Sequence, residues 1–196
     1  AIPIRAELTE SPFIGEVLVE DVERLQGDTT LYEAGMPRGA RRTGVIRPVR
    51  MPIMDRFDPA LTQRMPYAWA LVQPDEDVLR RLRLHGLRIE RLTESANLTG
   101  ERFTVDSMIV APRPFQGHNE VRLEGRWNRE PLSLPAGTAV ISAAQPLGVL
   151  AMYLLEPQSD DGLTTWNAFD DDLRVGGRHP VVRIVQPIRA SRRLFW

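Results

Sequence analysis

The residues with chemistry to offer gather late in the chain. Asp160 and Asp161 stand side by side, Trp166 and Asn167 follow, and Asp170, Asp171 and Asp172 close the run. Clustered carboxylates are what a hard cation such as calcium takes, and a flanking pair of acids is the machinery of glycoside hydrolysis. Neither chemistry is specified here. The acids fall into two separate groups without the spacing of a calcium loop, and nothing in the sequence fixes a carboxylate separation. Solvated acidic turns pairing with arginines are the plainer account.

The histidines are His85, His118 and His179. A zinc site opening on H-x-x-E needs a glutamate three residues after a histidine. Arg88, Val121 and Val182 stand there instead. His118-Asn119-Glu120 has the H-x-E of zinc deaminases, but that chemistry also needs cysteine ligands, and the chain has 0 cysteines. The same lack removes disulfides, thiol nucleophiles and thiolate metal sites. The G-x-S-x-G elbow, the phosphate-binding G-x-x-x-x-G-K-[ST] loop and the dinucleotide G-x-G-x-x-G fingerprint are all missing. His118 sits in a loop, where binding groups are commonly carried.

Composition narrows the classes further. Hydrophobic residues make up 42% and charged residues 26% of 196 residues, enough for one domain with a real core or two small ones. A net charge of -1 gives no case for a general nucleic-acid or acidic-membrane binder. The 25 basic residues are all arginine, which favours bidentate pairs with Asp and Glu and leaves no lysine for a Schiff base. No apolar run reaches the ~20 residues of a membrane span. The opening Ala-Ile-Pro-Ile-Arg is not a signal peptide and reads as the middle of a longer polypeptide.

The elements that must position these residues follow from periodicity. Ile2 to Leu8 and Ile14 to Leu25 alternate as strands, with a helix as the competing reading for Val17 to Leu25. Gln26 to Arg42 reads as a loop, Thr43 to Asp55 as a proline-bearing edge strand or arm, and Asp58 to Pro66 as a connection. Tyr67 to Val72 predicts a buried strand. A helix then starts near Pro74, faces Val78, Leu79 and Leu82 inward, and ends at Gly86. Leu87 to Leu92 completes a strand–helix–strand unit. Strands are expected over Glu101 to Val110, over Glu120 to Trp127 with a turn at Trp127-Asn128 into Arg129 to Leu134, over Thr138 to Ser142, and over Pro180 to Val185. An apolar helix from Pro146 to Leu155 is stopped by Pro157. Arg189 to Trp196 reads as a tail or docking segment. The expected class is α+β: a β-rich, mostly antiparallel sheet with one strand–helix–strand unit and a second short helix. Residues 1–66 would form a β-rich arm or subdomain, 67–188 an α+β body, and 189–196 the tail.

Several stretches carry a family resemblance. They are Gln145-Pro146-Leu147, Tyr153-Leu154-Leu155-Glu156-Pro157, Ser159-Asp160-Asp161-Gly162-Leu163, Thr165-Trp166-Asn167, Arg113-Pro114-Phe115-Gln116-Gly117-His118 and Leu134-Pro135-Ala136-Gly137-Thr138. Together they resemble the region after the catalytic domain in bacterial zinc carboxypeptidases of the carboxypeptidase A superfamily, most strongly from about Tyr67 to Pro187. The resemblance implies that the peptidase domain, with its zinc, its ligands and its glutamate base, lies upstream of residue 1. This chain would then hold no catalytic residue, cofactor or metal, and its partner would be that upstream domain of the same polypeptide, in a secreted or periplasmic protein. Arg113, Gln116, His118, Gln145, Asp160, Asp161, Trp166 and Asn167 become candidates for the interface or cleft edge. An independent peptide- or polysaccharide-binding module, using exposed aromatics and arginines, is the alternative.

Overall fold

Alternation of large and small apolar residues organises the larger part of the chain. The computed structural model describes residues 1–9, 13–24 and 38–195. In Ala68-Trp69-Ala70-Leu71 every residue is buried, but successive side chains leave opposite faces of the strand. Trp69 and Leu71 join one core with Phe103, Leu123 and Ile141; Ala68 and Ala70 join a second with Val140, Val182 and Ile184. A sheet with both faces covered therefore runs through this unit, which comprises residues 1–6 and 59–196.

The strands are β1 (Ile2–Thr9), β2 (Ile14–Arg24), β3 (Ala40–Pro52), β4 (Arg56–Gln63), β5 (Ala68–Leu71), β6 (Ile89–Leu92), β7 (Ala96–Val110), β8 (Val121–Leu134), β9 (Ala139–Ser142), β10 (Arg178–Ile184) and β11 (Arg192–Phe195). The helices are α1 (Glu76–Leu84) and α2 (Gly148–Leu155), with a short 3₁₀ turn at Asp170–Asp172. Seven strands form one sheet in the order β11-β6-β9-β5-β10-β7-β8, with antiparallel neighbours throughout. β5 and β6 both run antiparallel to β9, so α1 joins two parallel strands that flank it. Both helices bury their apolar residues in the core that contains Trp69.

The α+β expectation is corrected by this layout: 53% of the described residues are strand and 11% helix, so the protein is mostly β. The helices are short covers on one sheet. The extra strand comes from segments whose proline, arginine and asparagine content argued against it. Ala40, Arg41 and Arg42, expected in a loop, open β3, and Arg56–Gln63, expected as a connection, is β4 paired with β1. Pro48, Pro52 and Pro59 are tolerated because these are two-stranded ribbons, where one edge of each strand needs no donor. No turn breaks the chain at Trp127-Asn128. Phe103 pairs with Trp127 and Arg102 with Asn128, and the Asn128 amide donates across to Thr104 Oγ1 at 2.9 Å. Arg192–Phe195, within the stretch read as a tail, pairs with β6, and Arg91 stacks its guanidinium 4.0 Å from the Phe195 ring. The part of the first loop at residues 25–37, together with Trp196, lies outside the described residues.

The second unit, residues 7–58, contains the β2–β3 ribbon. Arg47 to Asp21 at 2.6 Å and Arg41 to Glu23 at 2.9 Å tie its strands together across exposed faces.

α1 carries its signals plainly. Asp75 caps it by accepting from the Asp77 N–H at 2.7 Å, and Gly86 takes the left-handed φ of +81° just past its end. α2 is apolar on all sides because it is buried on most of them. It begins at Gly148 rather than Pro146, and glycine is needed there because a Cβ would sit 2.1 Å from the Ala143 carbonyl oxygen. No helix among the described residues is long and apolar enough to cross a membrane.

Candidate functional site

The turn after α2 and the loop between β7 and β8 meet around Trp166. The loop reverses at Phe115–His118, whose backbones bond each other at 2.8 and 3.1 Å. Gln116 (φ 49°) and Gly117 (φ 90°) are both left-handed, as a tight two-residue reversal of this hand requires. It delivers His118 onto Trp166, ring centroids 4.3 Å apart and tilted by 30°.

Asn167 orients that imidazole. Its Nδ2 donates to Asn119 O at 3.1 Å and to Asp170 Oδ2 at 2.8 Å, so its Oδ1 faces His118 Nδ1 at 2.6 Å. His118 Nδ1 therefore carries the proton and donates. Nε2 is buried and has no hydrogen-bond partner among the described residues. Asn167 holds this position at φ 61°, a left-handed conformation that asparagine tolerates better than most residues.

The paired aspartates do different work. Asp160 accepts from the Tyr153 hydroxyl through Oδ1 and from the Ala6 N–H through Oδ2 at 2.9 Å, while its own N–H donates to Ile4 O at 3.0 Å. It clamps β1 to the end of α2. Asp161 accepts from the Trp166 indole N–H. Burial, the hydrogen bond to Asp160 and the charges of Asp160 and Asp161 push the Tyr153 phenol well above its ordinary value, so it stays a donor. Tyr153, Asp161 and Trp166 line a cleft of about 410 Å³ with Leu150, Leu154, Leu163, Arg81 and His85.

The remaining candidates lie apart from this group. Arg113 and Gln116 are exposed in the loop. Gln145 accepts from Arg88 N at 2.9 Å, donates to Ser142 O at 2.8 Å and borders a separate cleft of about 500 Å³ with Arg88, Glu90 and Arg192.

Two buried polar groups escaped the sequence reading. Glu156, 1% exposed, accepts from the Trp69 indole N–H at 2.9 Å and from Arg183 through Nε at 2.8 Å, with a second contact to Arg183 NH2. The Arg183 guanidinium lies 3.9 Å from the Trp127 ring, and both members of the pair are buried. His179 is wholly buried. Val181 N donates to its Nδ1 at 3.1 Å, so Nε2 bears the proton facing Thr164 Oγ1 at 3.0 Å. Burial drives its pKa down to about 3. The one available signal was a glutamate directly following an apolar helix and preceding proline, where solvent exposure would be the ordinary expectation.

Among the described residues no three His, Asp or Glu side chains gather as ligands. His179 has both nitrogens engaged within the core, and His118 has one engaged with Asn167.

With this geometry in view, comparison with known proteins points toward peptidases. The chain is 23% identical over 127 residues to Carboxypeptidase 2 of Trichophyton rubrum, a match covering 65% of this chain and 23% of that protein. Carboxypeptidase 2 of Trichophyton tonsurans and of Trichophyton equinum match at 23% identity over 124 residues, 63% of this chain and 23% of each. The matched stretch thus spans about a quarter of the length of these curated relatives, which are fungal, whereas the resemblance in the sequence was to bacterial proteins. No family model and no solved structure matches. The chain contains a region distantly similar to carboxypeptidases.

Proposed function

We propose that the chain is a non-catalytic accessory region of a zinc carboxypeptidase-like peptidase, packing on and supporting the peptidase domain. The observation that carries this reading is the carboxypeptidase match itself, confined to about a quarter of the relatives' length. It is supported by the lack of glutamate three residues after any of His85, His118 and His179. Zinc, the ligands and the general base would belong to the partner domain of the same polypeptide, and no step is assigned to residues of this chain. The loop carrying Arg113, Gln116 and His118 and the rim around Asp161 and Trp166 are the surfaces available for contact.

Two measurements test it. The preceding reading frame is expected to encode H-x-x-E, a third histidine and a later glutamate. The chain alone, supplied with zinc and peptide substrates, is expected to release no C-terminal residue. Robust zinc-dependent release by this chain alone overturns the proposal.

A further inference from the structure

The cleft beside α2 is lined by apolar residues and by charged groups of both signs. Leu150, Leu154 and Leu163 line it, together with the rings of Tyr153 and Trp166. Asp161 lines it as well. Its Oδ1 is taken by the Trp166 indole, and its Oδ2 makes no hydrogen bond among the described residues. Arg81 and His85, from the C-terminal half of α1 and its cap, line the same cleft. Arg81 bonds Asp77 through Nε at 2.7 Å, and its terminal nitrogens make no hydrogen bond among the described residues.

The walls are braced rather than casual. The Trp166 indole is anchored by Asp161, and the stacked His118 ring is held in turn by Asn167. The Tyr153 hydroxyl is fixed by Asp160. Gly162 keeps the corner tight, since a Cβ there would lie 2.8 Å from the Tyr153 carbonyl oxygen. Aromatic side chains locked by polar partners present a pre-formed surface, which lowers the ordering cost of binding. A volume of about 410 Å³ falls within the range of small-molecule sites.

We infer that this cleft binds a free α-amino acid with an apolar side chain, its ammonium group at Asp161, its carboxylate at Arg81 and His85, and its side chain against the lining leucines and the rings of Tyr153 and Trp166. A purely cationic ligand would gain Asp161 and the aromatic faces but would meet the Arg81 guanidinium. A purely anionic one would gain Arg81 but would meet Asp161. A zwitterion satisfies both ends, and burying one end without its partner would leave a desolvated charge unpaired. Exopeptidase cleavage supplies this class of molecule, although the inference stands on the lining of the cleft and not on the peptidase reading.

The test is calorimetric and amide NMR titration of the 196-residue chain with L-phenylalanine, with phenethylamine, which lacks the carboxylate, and with 3-phenylpropionate, which lacks the ammonium. L-phenylalanine is expected to saturate one site and to bind at least about tenfold more tightly than either analogue. Asp161→Asn keeps an acceptor for the Trp166 indole and should abolish the preference over 3-phenylpropionate. Arg81→Gln should abolish the preference over phenethylamine. Both positions are at least partly exposed, so the variants are expected to keep the wild-type amide spectrum outside the cleft. The inference is overturned if L-phenylalanine fails to saturate by ~10 mM, if either analogue binds as tightly, or if the two substitutions leave selectivity unchanged. These results do not bear on zinc-dependent hydrolysis, which the preceding experiment reads separately.

Discussion

Replacing Glu156 by glutamine changes one buried oxygen into an NH2 group and removes one charge. In the native chain Oε1 accepts from Trp69 and from Arg183 Nε, and Oε2 faces Arg183 NH2. Glutamine can keep the first set through its carbonyl, but its amide nitrogen then meets the guanidinium donor to donor. Arg183, whose side chain is 6% exposed, would retain only Glu101, at 3.6 Å, as a counter-charge among the described residues. Breaking one side of a buried ion pair costs about 3–5 kcal/mol, because the surviving charge is left desolvated. Glu101 offsets part of this, so Glu156→Gln is expected to cost about 3 kcal/mol, or roughly 6–12 °C in melting temperature for a chain of this size. Urea unfolding followed by tryptophan fluorescence reads it, since Trp69, Trp127 and Trp166 all lie in the larger unit. The midpoint should fall with the denaturant slope unchanged. The double variant Glu156→Leu, Arg183→Met removes both charges and should be less destabilised than Glu156→Gln alone. A single-variant cost below ~1 kcal/mol, or a double variant no better than the single, would refute the reasoning.

Two further outcomes follow from the same kind of argument. His179 binds its proton in the unfolded chain near its ordinary pKa, but in the folded chain only near about 3, because burial disfavours the imidazolium. Between those values the unfolded state holds the extra proton. Stability should therefore be full above about 6.5 and fall by about 1.4 kcal/mol per pH unit as acid is added through that window. His179→Gln should flatten that dependence in urea titrations run from neutral pH to pH ~4, and an unchanged slope counts against burial as the cause. Asn167→Ala loses the amide that orients His118 and places a Cβ-bearing, non-hydrogen-bonding residue at φ 61°. It should cost about 1–3 kcal/mol by thermal melting, with Asn167→Gly recovering only the backbone share.

Much of the fold was legible because its signals are local. The all-apolar run at 68–71, the start of α1 just after Pro74 and its end before Gly86, and the inward Val78, Leu79 and Leu82 each follow from periodicity or backbone sterics within a few residues. The misreadings have a common cause. Asn128 resembles a turn residue until Thr104 on the neighbouring strand bonds its amide, and Pro59 resembles a strand breaker until the strand proves to lie in a ribbon. In both places the decisive partner is far away in sequence.

The candidate site divides along the same line. The sequence by itself determined that Asp160, Asp161, Trp166 and Asn167 fall in one proline-bounded segment, and that no thiol, lysine or H-x-x-E chemistry accompanies them. Only the tertiary structure decided their roles. It brought His118 across 49 positions onto Asn167, turned Asp160 into a clamp on β1, and set Arg81 and His85 beside Asp161 around an apolar cleft. It also buried Glu156 against Arg183, 27 positions away, where the sequence offered only an acid before a proline. Residue types and short-range spacing fix which chemistry is available. Desolvation and opposing charge, which decide what each group does, depend on neighbours that the sheet alone brings together.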